Sequence, residues 1–185
     1  MNWIQDMDVH ILLWIQEYLR SDAVSWFWKA VTFLGNGGWF WIVLAVGLLL
    51  CSRTRKIGGT ALLSMVIGAL ITNVILKNRI ARPRPFDAFP EITPLVARPT
   101  DFSFPSGHTT ASFACALVLY RMLPKKYGIP AVCLAFLIAF SRLYVGVHYP
   151  TDVLAGCLIG IVSSVIADKV RDRIKPFIMK NKFRK

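Results

Sequence analysis

Three separated groups of residues in this chain could together handle a phosphate: Lys77 with Arg84 and Pro85, then Pro105-Ser106-Gly107-His108, then Ser141-Arg142 with His148 and Asp152. A phosphoryl group in transfer spreads negative charge over its equatorial oxygens, so its catalysis is chiefly positioning and charge stabilisation. Lys77, Arg84 and Arg142 can form the cationic clamp, the arginines with planar, bidentate donors. Pro83 and Pro85 hold Arg84 in an extended segment. Pro105 and Ser106 precede a predicted helix whose free N–H groups suit an anion, and Gly107 lets that backbone approach closely. His148 is the better nucleophile candidate because Asp152 follows it at the start of the next helix. A carboxylate there can fix the imidazole tautomer and stabilise the charge that develops after attack. Pro150 suits the first turn of that helix and keeps the two residues near one another. His108 is left to protonate the departing oxygen, a contribution of roughly 10²–10⁴-fold.

The elements that must position these groups belong to a membrane. Of 185 residues, 55% are hydrophobic, and the mean hydropathy is +0.52, more apolar surface than one soluble core of this size can hide. Residues 30–52 and 57–76 carry no charge and each is long enough to cross a hydrocarbon core of about 30 Å as a helix. Residues 102–120, 127–141 and 153–167 complete an all-α, integral membrane bundle of five firm transmembrane helices. Ahead of them, 8–20 reads as an interfacial helix, and Ser21 or Asp22 could cap a second short helix over 23–34. A sixth span through 8–29 would place Glu17, Arg20, Asp22 and Lys29 at costly depth. Segment 1–34 is therefore read as N-terminal interfacial helices, 35–168 as the membrane-embedded domain and 169–185 as a basic tail. The six tryptophans, all between positions 3 and 41, suit either an outer collar or core packing. Gly35-Asn36-Gly37-Gly38 lacks the Gly-Lys-Ser/Thr ending of a phosphate-binding loop and reads as a turn. Residues 78–105 hold six of the ten prolines and form a polar cover on the outer surface. Tracing the spans brings all three groups to one level on one side.

Charge placement sets the orientation. The net charge is +12. The turns at 53–56 and 121–126 and the tail from 168 carry fourteen of the 22 basic residues and only two of the ten acids, so they face the cytoplasm. Phe177, Ile178, Met179 and Phe183 among the tail's cations suit contact with anionic inner-leaflet lipid, and this distribution argues against a nucleic-acid partner. Asp6 and Asp8 stand where a basic leader would belong, so the first spans direct insertion. Cys51, Cys115, Cys133 and Cys157 lie in apolar stretches without metal-ligand spacing and read as buried small hydrophobes. Singly, Lys77 could be a cation snorkelling to headgroups, and His108 or His148 a hydrogen-bonded structural residue. Arg79, Arg82 and Arg98 read as snorkelling cations or as attractants for an anionic substrate. Their joint order and common depth favour the functional reading for the three groups.

Lys77-x6-Arg84-Pro85, Pro105-Ser106-Gly107-His108 and Ser141-Arg142-x5-His148-x3-Asp152 resemble the three-part signature of the type-2 phosphatidic acid phosphatase superfamily, without a substitution. The resemblance covers roughly residues 30–168. It implies an all-helical bundle with an outward-facing site, a phosphohistidine on His148 oriented by Asp152, and His108 as general acid. Lys77, Arg84, Ser106, Gly107 and Arg142 would bind the phosphate, with no cofactor and no metal. Residues 1–29 depart from the six-span members.

A phosphorylated lipid entering between helices at the outer leaflet is the simplest substrate. For compact bacterial members the resemblance points to undecaprenyl diphosphate, ahead of phosphatidylglycerol phosphate and phosphatidic acid. A non-catalytic binder of anionic lipid and a transporter are the readings from another class. Transport is disfavoured because no firm span has a charge near its middle.

Overall fold

The computed structural model describes residues 3–182, with side chains to residue 174, and every regular element among them is helical. Helix α1 (Trp3–Trp14) runs into a π-helical segment, Ile15–Leu19, and is followed by α2 (Asp22–Leu34) and a short 3-10 turn, Asn36–Gly38. Then come α3 (Trp39–Leu50), α4 (Arg55–Ala69), a second π-helical segment (Leu70–Leu76) and the short α5 (Lys77–Ile80) and α6 (Pro85–Ala88). Three long helices close the chain: α7 (Gly107–Met122), α8 (Lys125–Tyr144) and α9 (Pro150–Lys182).

Local chemistry sets the boundaries. Gly37 and Gly38 take φ of +57° and +70°, values that L side chains resist, and so end the helix that enters at α2. The predicted stretch 30–52 is consequently two helices bent by 45°. Ser21 sits at the N-cap of α2 in extended conformation, but its side chain makes no capping bond; its N–H donates to the Tyr144 hydroxyl at 3.3 Å. Pro85 and Pro150 occupy first-turn positions of α6 and α9, where a missing N–H costs nothing.

α7 is the axis of the bundle. Between lipid-bathed helices there is no hydrophobic drive to associate, so small residues that admit close approach decide the packing. α7 presents Thr109, Thr110, Ser112, Ala114, Cys115 and Ala116, all buried, to α4, α8 and α9. Polar side chains also tie α7 to α4, α3 and the second π-helical segment: Ser64 Oγ donates to Ala114 O at 2.8 Å, Trp41 Nε1 to Ser112 Oγ at 2.9 Å, and Thr72 Oγ1 meets Thr110 Oγ1 at 3.0 Å. On α9, Gly156 and Gly160 lie so close to α7 that an added Cβ would stand 2.7 Å from Ser106 O and 2.6 Å from Phe113 Cβ.

This is a membrane protein. Among the described residues three stretches, Arg55–Ala88, Lys125–Tyr144 and Pro150–Ile174, are long and apolar enough to cross, and the bent pair Asp22–Leu34 with Asn36–Leu50 brings the number to four if it is counted as one span. α7 differs from the expected 102–120: it starts at Gly107 and its 16 residues reach about 24 Å at 1.5 Å per residue, less than the ~30 Å core. The tryptophans divide: Trp3, Trp14, Trp26 and Trp39 are exposed, whereas Trp41 is fully buried against α7. The cysteine expectation holds for Cys115 alone among the fully buried positions, since Cys51 follows the end of α3 and Cys133 faces outward from α8, both exposed. The side chains of Phe177, Ile178, Met179 and Phe183, on which the lipid-contacting tail was read, lie outside the described residues.

If the α7–α9 contact is this tight, Gly156→Ala should lower stability by about 1–3 kcal/mol, because its methyl meets backbone rather than a movable side chain. Gly59→Ala, which meets only Leu49 Cδ1 at 3.6 Å, should leave thermal unfolding in detergent unchanged or slightly raised.

Candidate active site

The ends of α5, α7, α8 and α9 that carry the predicted site residues lie together, with the 81–106 connection folded over them. Lys77 reaches this level from the π-helical segment. A π-helix is wider than an α-helix, so residues five apart come near one face. Thr72 and Lys77 are both buried, and Thr72 touches α7. Arg84 precedes α6 in extended conformation (φ −75°, ψ 157°), as its flanking prolines require.

His148 is 2% exposed, in the short connection between α8 and α9. Its Nδ1 lies 3.5 Å from Asp152 Oδ2 and 3.5 Å from Ser103 Oγ, long for hydrogen bonds but on the side where a carboxylate orients an imidazole. Its Nε2 faces the other way, 3.4 Å from Arg84 Nη1. Burial depresses the imidazole pKa below its ordinary value; the nearby Asp152 carboxylate opposes this, and the Arg142 and Arg84 charges reinforce it. A neutral ring therefore points its free nitrogen at the cationic cup.

Asp152 has no exposed surface. Its Oδ2 accepts from Ser103 Oγ at 2.5 Å and from the Tyr149 N–H at 2.9 Å, and its Oδ1 from Arg82 Nη1 at 2.7 Å. Arg82 also donates through Nη2 to Asp8 Oδ2 at 2.7 Å and stacks over the Tyr149 ring at 3.7 Å. Asp8, fully buried, accepts from the Thr151 N–H at 3.0 Å. Arg82 is thus not a snorkelling cation but a bridge between two buried carboxylates, one of them in α1. The Ser106 N–H donates to Asp152 O at 3.1 Å, so that donor ties α7 to α9 and is not free for an anion. The Ser106 side chain is buried and accepts from Thr109 Oγ1 at 3.0 Å. Ser141 is structural here, its hydroxyl donating to Ile138 O at 2.6 Å.

The cations face the cup differently. Arg84 is held by Nε to Asp101 O at 2.8 Å and by Nη1 to Val147 O at 2.7 Å, while Nη2 meets Asp101 Oδ1 at 2.5 Å. Lys77 Nζ donates to the other Asp101 oxygen. Partial burial would raise the Asp101 carboxyl, but Lys77 and Arg84 outweigh it and hold it at about 2. Arg142 Nη1 donates to Thr32 Oγ1 at 2.5 Å, and its Nε is buried without a hydrogen-bond partner among the described residues. A buried guanidinium with a spare donor suits a ligand oxygen.

His108, in the first turn of α7, has Nε2 2.9 Å from Asn36 Oδ1. Gly35 packs on its ring so closely that a Cβ there would meet Cδ2 at 2.6 Å. The glycine turn therefore also seats this histidine. His108 stands between two cavities. One, of about 440 Å³, is lined by Ile42, Met65 and Val66 together with Lys77, Asp101, Gly107 and His108. The other, of about 400 Å³, is lined by Lys29, Thr32, Asn36, His108 and Arg142 among others. His148 lies behind Arg84 rather than on either wall. Among the described residues, no group of three or more His, Cys, Asp or Glu side chains is placed to hold a metal ion.

Sequence reasoning did not place Asp8, Asn36, Asp101, Ser103 or Thr32 in the site. Asp101 and Ser103 lie just ahead of Pro105 in the polar 78–105 connection, where nothing in their spacing sets them apart.

Residues 58–175 match the PAP2 superfamily. The chain is 40% identical over 132 residues to an undecaprenyl-diphosphatase of Sulfolobus acidocaldarius (70% of this chain, 64% of that protein). It is 37% identical over 142 residues to the undecaprenyl-diphosphatase BcrC of Bacillus subtilis (74% of this chain, 69% of that protein). The chain thus spans about two thirds of the length of these relatives. Among solved structures, the transmembrane PAP2 type phosphatidylglycerolphosphate phosphatase of Bacillus subtilis superposes with a TM-score of 0.76 at 29% identity, covering 94% of this chain and 89% of that one.

Arg82→Ala strands two fully buried carboxylates, and removing one partner of a buried ion pair costs about 3–5 kcal/mol. The variant should show that loss in thermal or denaturant unfolding in detergent.

Proposed function

Since the chain belongs to the PAP2 superfamily, we propose that it is a lipid phosphate phosphatase working through a phosphohistidine. The observation that carries this reading is the two-sided seat of His148, with Asp152 behind Nδ1 and the Arg84 guanidinium before Nε2. His148 Nε2 attacks phosphorus, the bond to the lipid-side oxygen breaks, and His108 gives that oxygen a proton. Water then attacks the phosphohistidine, His108 takes its proton, and inorganic phosphate leaves with His148 restored. Lys77, Arg84 and Arg142, with the Ser106 hydroxyl and the Gly107 backbone, hold the phosphate oxygens, the Ser106 N–H being already given to Asp152 O, while Asp152 stabilises the imidazolium. No step uses a metal.

The substrate proposed is undecaprenyl diphosphate, converted to the monophosphate for recycling of a cell-wall carrier. The two undecaprenyl-diphosphatase relatives support it, as does a cavity lined by apolar side chains together with Lys77 and His108. Phosphatidylglycerol phosphate is the second reading, favoured by the likeness over 94% of the chain to a phosphatase of that lipid; phosphatidic acid is a third. The proposed topology has five spans, with α3 beside the longer helices and α7, too short to reach both interfaces by itself, crossing inside the bundle. The site lies at the outer leaflet of the plasma membrane and the basic C-terminus in the cytoplasm, in contact with anionic lipid; the charge asymmetry supports this.

The test compares kcat/KM for the three lipids in detergent, with and without a chelator. The highest value should fall on undecaprenyl diphosphate and be insensitive to the chelator. A preference for another lipid changes the substrate, and absent turnover returns the protein to a binder or transporter. His148→Ala should lose activity by on the order of 10⁴-fold or more while unfolding at the same temperature.

The depressed pKa of His148 adds a pH prediction. A ring that resists protonation stays nucleophilic as pH falls, so the acidic limb of kcat/KM, which reports the free enzyme, should have its midpoint below about 6.5. A midpoint above that value would mean that another group limits the acid side.

A further inference from the structure

Asp101 is an anion inside a cup built for anions. Its carboxylate takes Lys77 Nζ on one oxygen and Arg84 Nη2 on the other. These are two of the three cations assigned to phosphate binding. The cations are nearly buried, at 7% and 3% exposure, whereas the Asp101 side chain is 52% exposed. The carboxylate thus reaches in from the solvent side, on the wall of the cavity that also holds His108.

The attachments of Arg84 separate what is permanent from what can be exchanged. Nε is anchored on the Asp101 main-chain oxygen and Nη1 on Val147 O, so the guanidinium keeps its place whichever anion it serves. The Asp101 side chain occupies only Nη2 and the lysine, two donors met by two oxygens. Two oxygens of a phosphate offer the same acceptors with more charge. A half-exposed carboxylate on a connecting segment can turn to water at small cost, which a buried one such as Asp152 cannot.

We propose that Asp101 is a resident counter-anion that occupies Lys77 and Arg84 in the bare site, is displaced by the phosphate of the substrate, and reclaims both cations when phosphate leaves. The proposal rests on the phosphatase reading for its place in the cycle, but the competition itself is a matter of anion binding. Asp101 is a positioning residue here: it keeps buried cations compensated between turnovers and weakens the hold on inorganic phosphate.

The experiment is calorimetric titration of the detergent-solubilised full chain with orthophosphate and, separately, orthovanadate, for wild type, Asp101→Asn and Asp101→Glu. Asp101→Asn should bind both anions at least about tenfold more tightly, and Asp101→Glu, which keeps a competing carboxylate, should stay near wild type. In turnover, Asp101→Asn should be inhibited by phosphate at correspondingly lower concentration. Unchanged or weaker anion binding by a folded Asp101→Asn would overturn the proposal, as would failure of either anion to bind wild type and Asp101→Asn alike. Tightened anion binding without lipid phosphate hydrolysis by wild type would support the counter-anion and overturn the phosphatase reading, so the two fail separately. Should Asp101→Asn not fold, Asp101→Ser is titrated in its place with the same expectations.

Discussion

A carboxylate with no exposed surface holds the site end of this molecule together. Moving Asp152 out of water is tolerable only because both of its carboxylate oxygens are hydrogen-bonded. Arg82 meets one oxygen; Ser103 and the Tyr149 N–H meet the other, with the His148 ring at its edge. Its main-chain oxygen takes the Ser106 N–H. In satisfying this one group the chain brings together the start of α9, the start of α7, the connection over 81–106 and the α8–α9 turn. Through Arg82 and Asp8 it adds α1. The same contacts that lower the cost of burial therefore aim the imidazole.

The cup on the other side of His148 obeys the opposite constraint. Arg84, Arg142 and Lys77 are nearly buried with like charge, which no bundle tolerates without anions or strong acceptors nearby. Main-chain oxygens of Val147 and Asp101 and the Thr32 hydroxyl take up part of the demand. The Asp101 carboxylate takes up more, and Arg142 Nε is left over. An unfinished electrostatic arrangement of this kind favours a multiply charged oxyanion over neutral ligands. It also separates the two buried environments: on the Asp152 side both carboxylate oxygens are taken within the protein, whereas the Arg84 side is exchangeable.

The signature residues were legible because each belongs to a short spaced group, and the apolar runs placed those groups at one depth. The glycine turn was legible as a turn, since Gly37 and Gly38 occupy the left-handed region, but not as the seat of His108. Partners such as Asp8 and Thr151 were out of reach: they are 143 residues apart, and neither stands in any spacing that marks it. Arg82 resembled any cation at a helix end until its two carboxylates were placed. The π-helical segment that precedes Lys77 is a departure from the 3.6-residue period on which pattern reading depends.

Sequence alone determined the chemistry available, a set of cations, two imidazoles and a carboxylate, and the membrane setting, because charge and hydropathy are properties of residues in order. The tertiary structure decided which of these groups are spent on one another. Whether an arginine serves a ligand or a neighbouring aspartate depends on which buried acceptors lie within about 3 Å, and that is settled only when α1, α7 and α9 close around the same point. Arg82 was committed to Asp8 and Asp152 in this way, while Arg84 and Lys77 share an acceptor that solvent can reach.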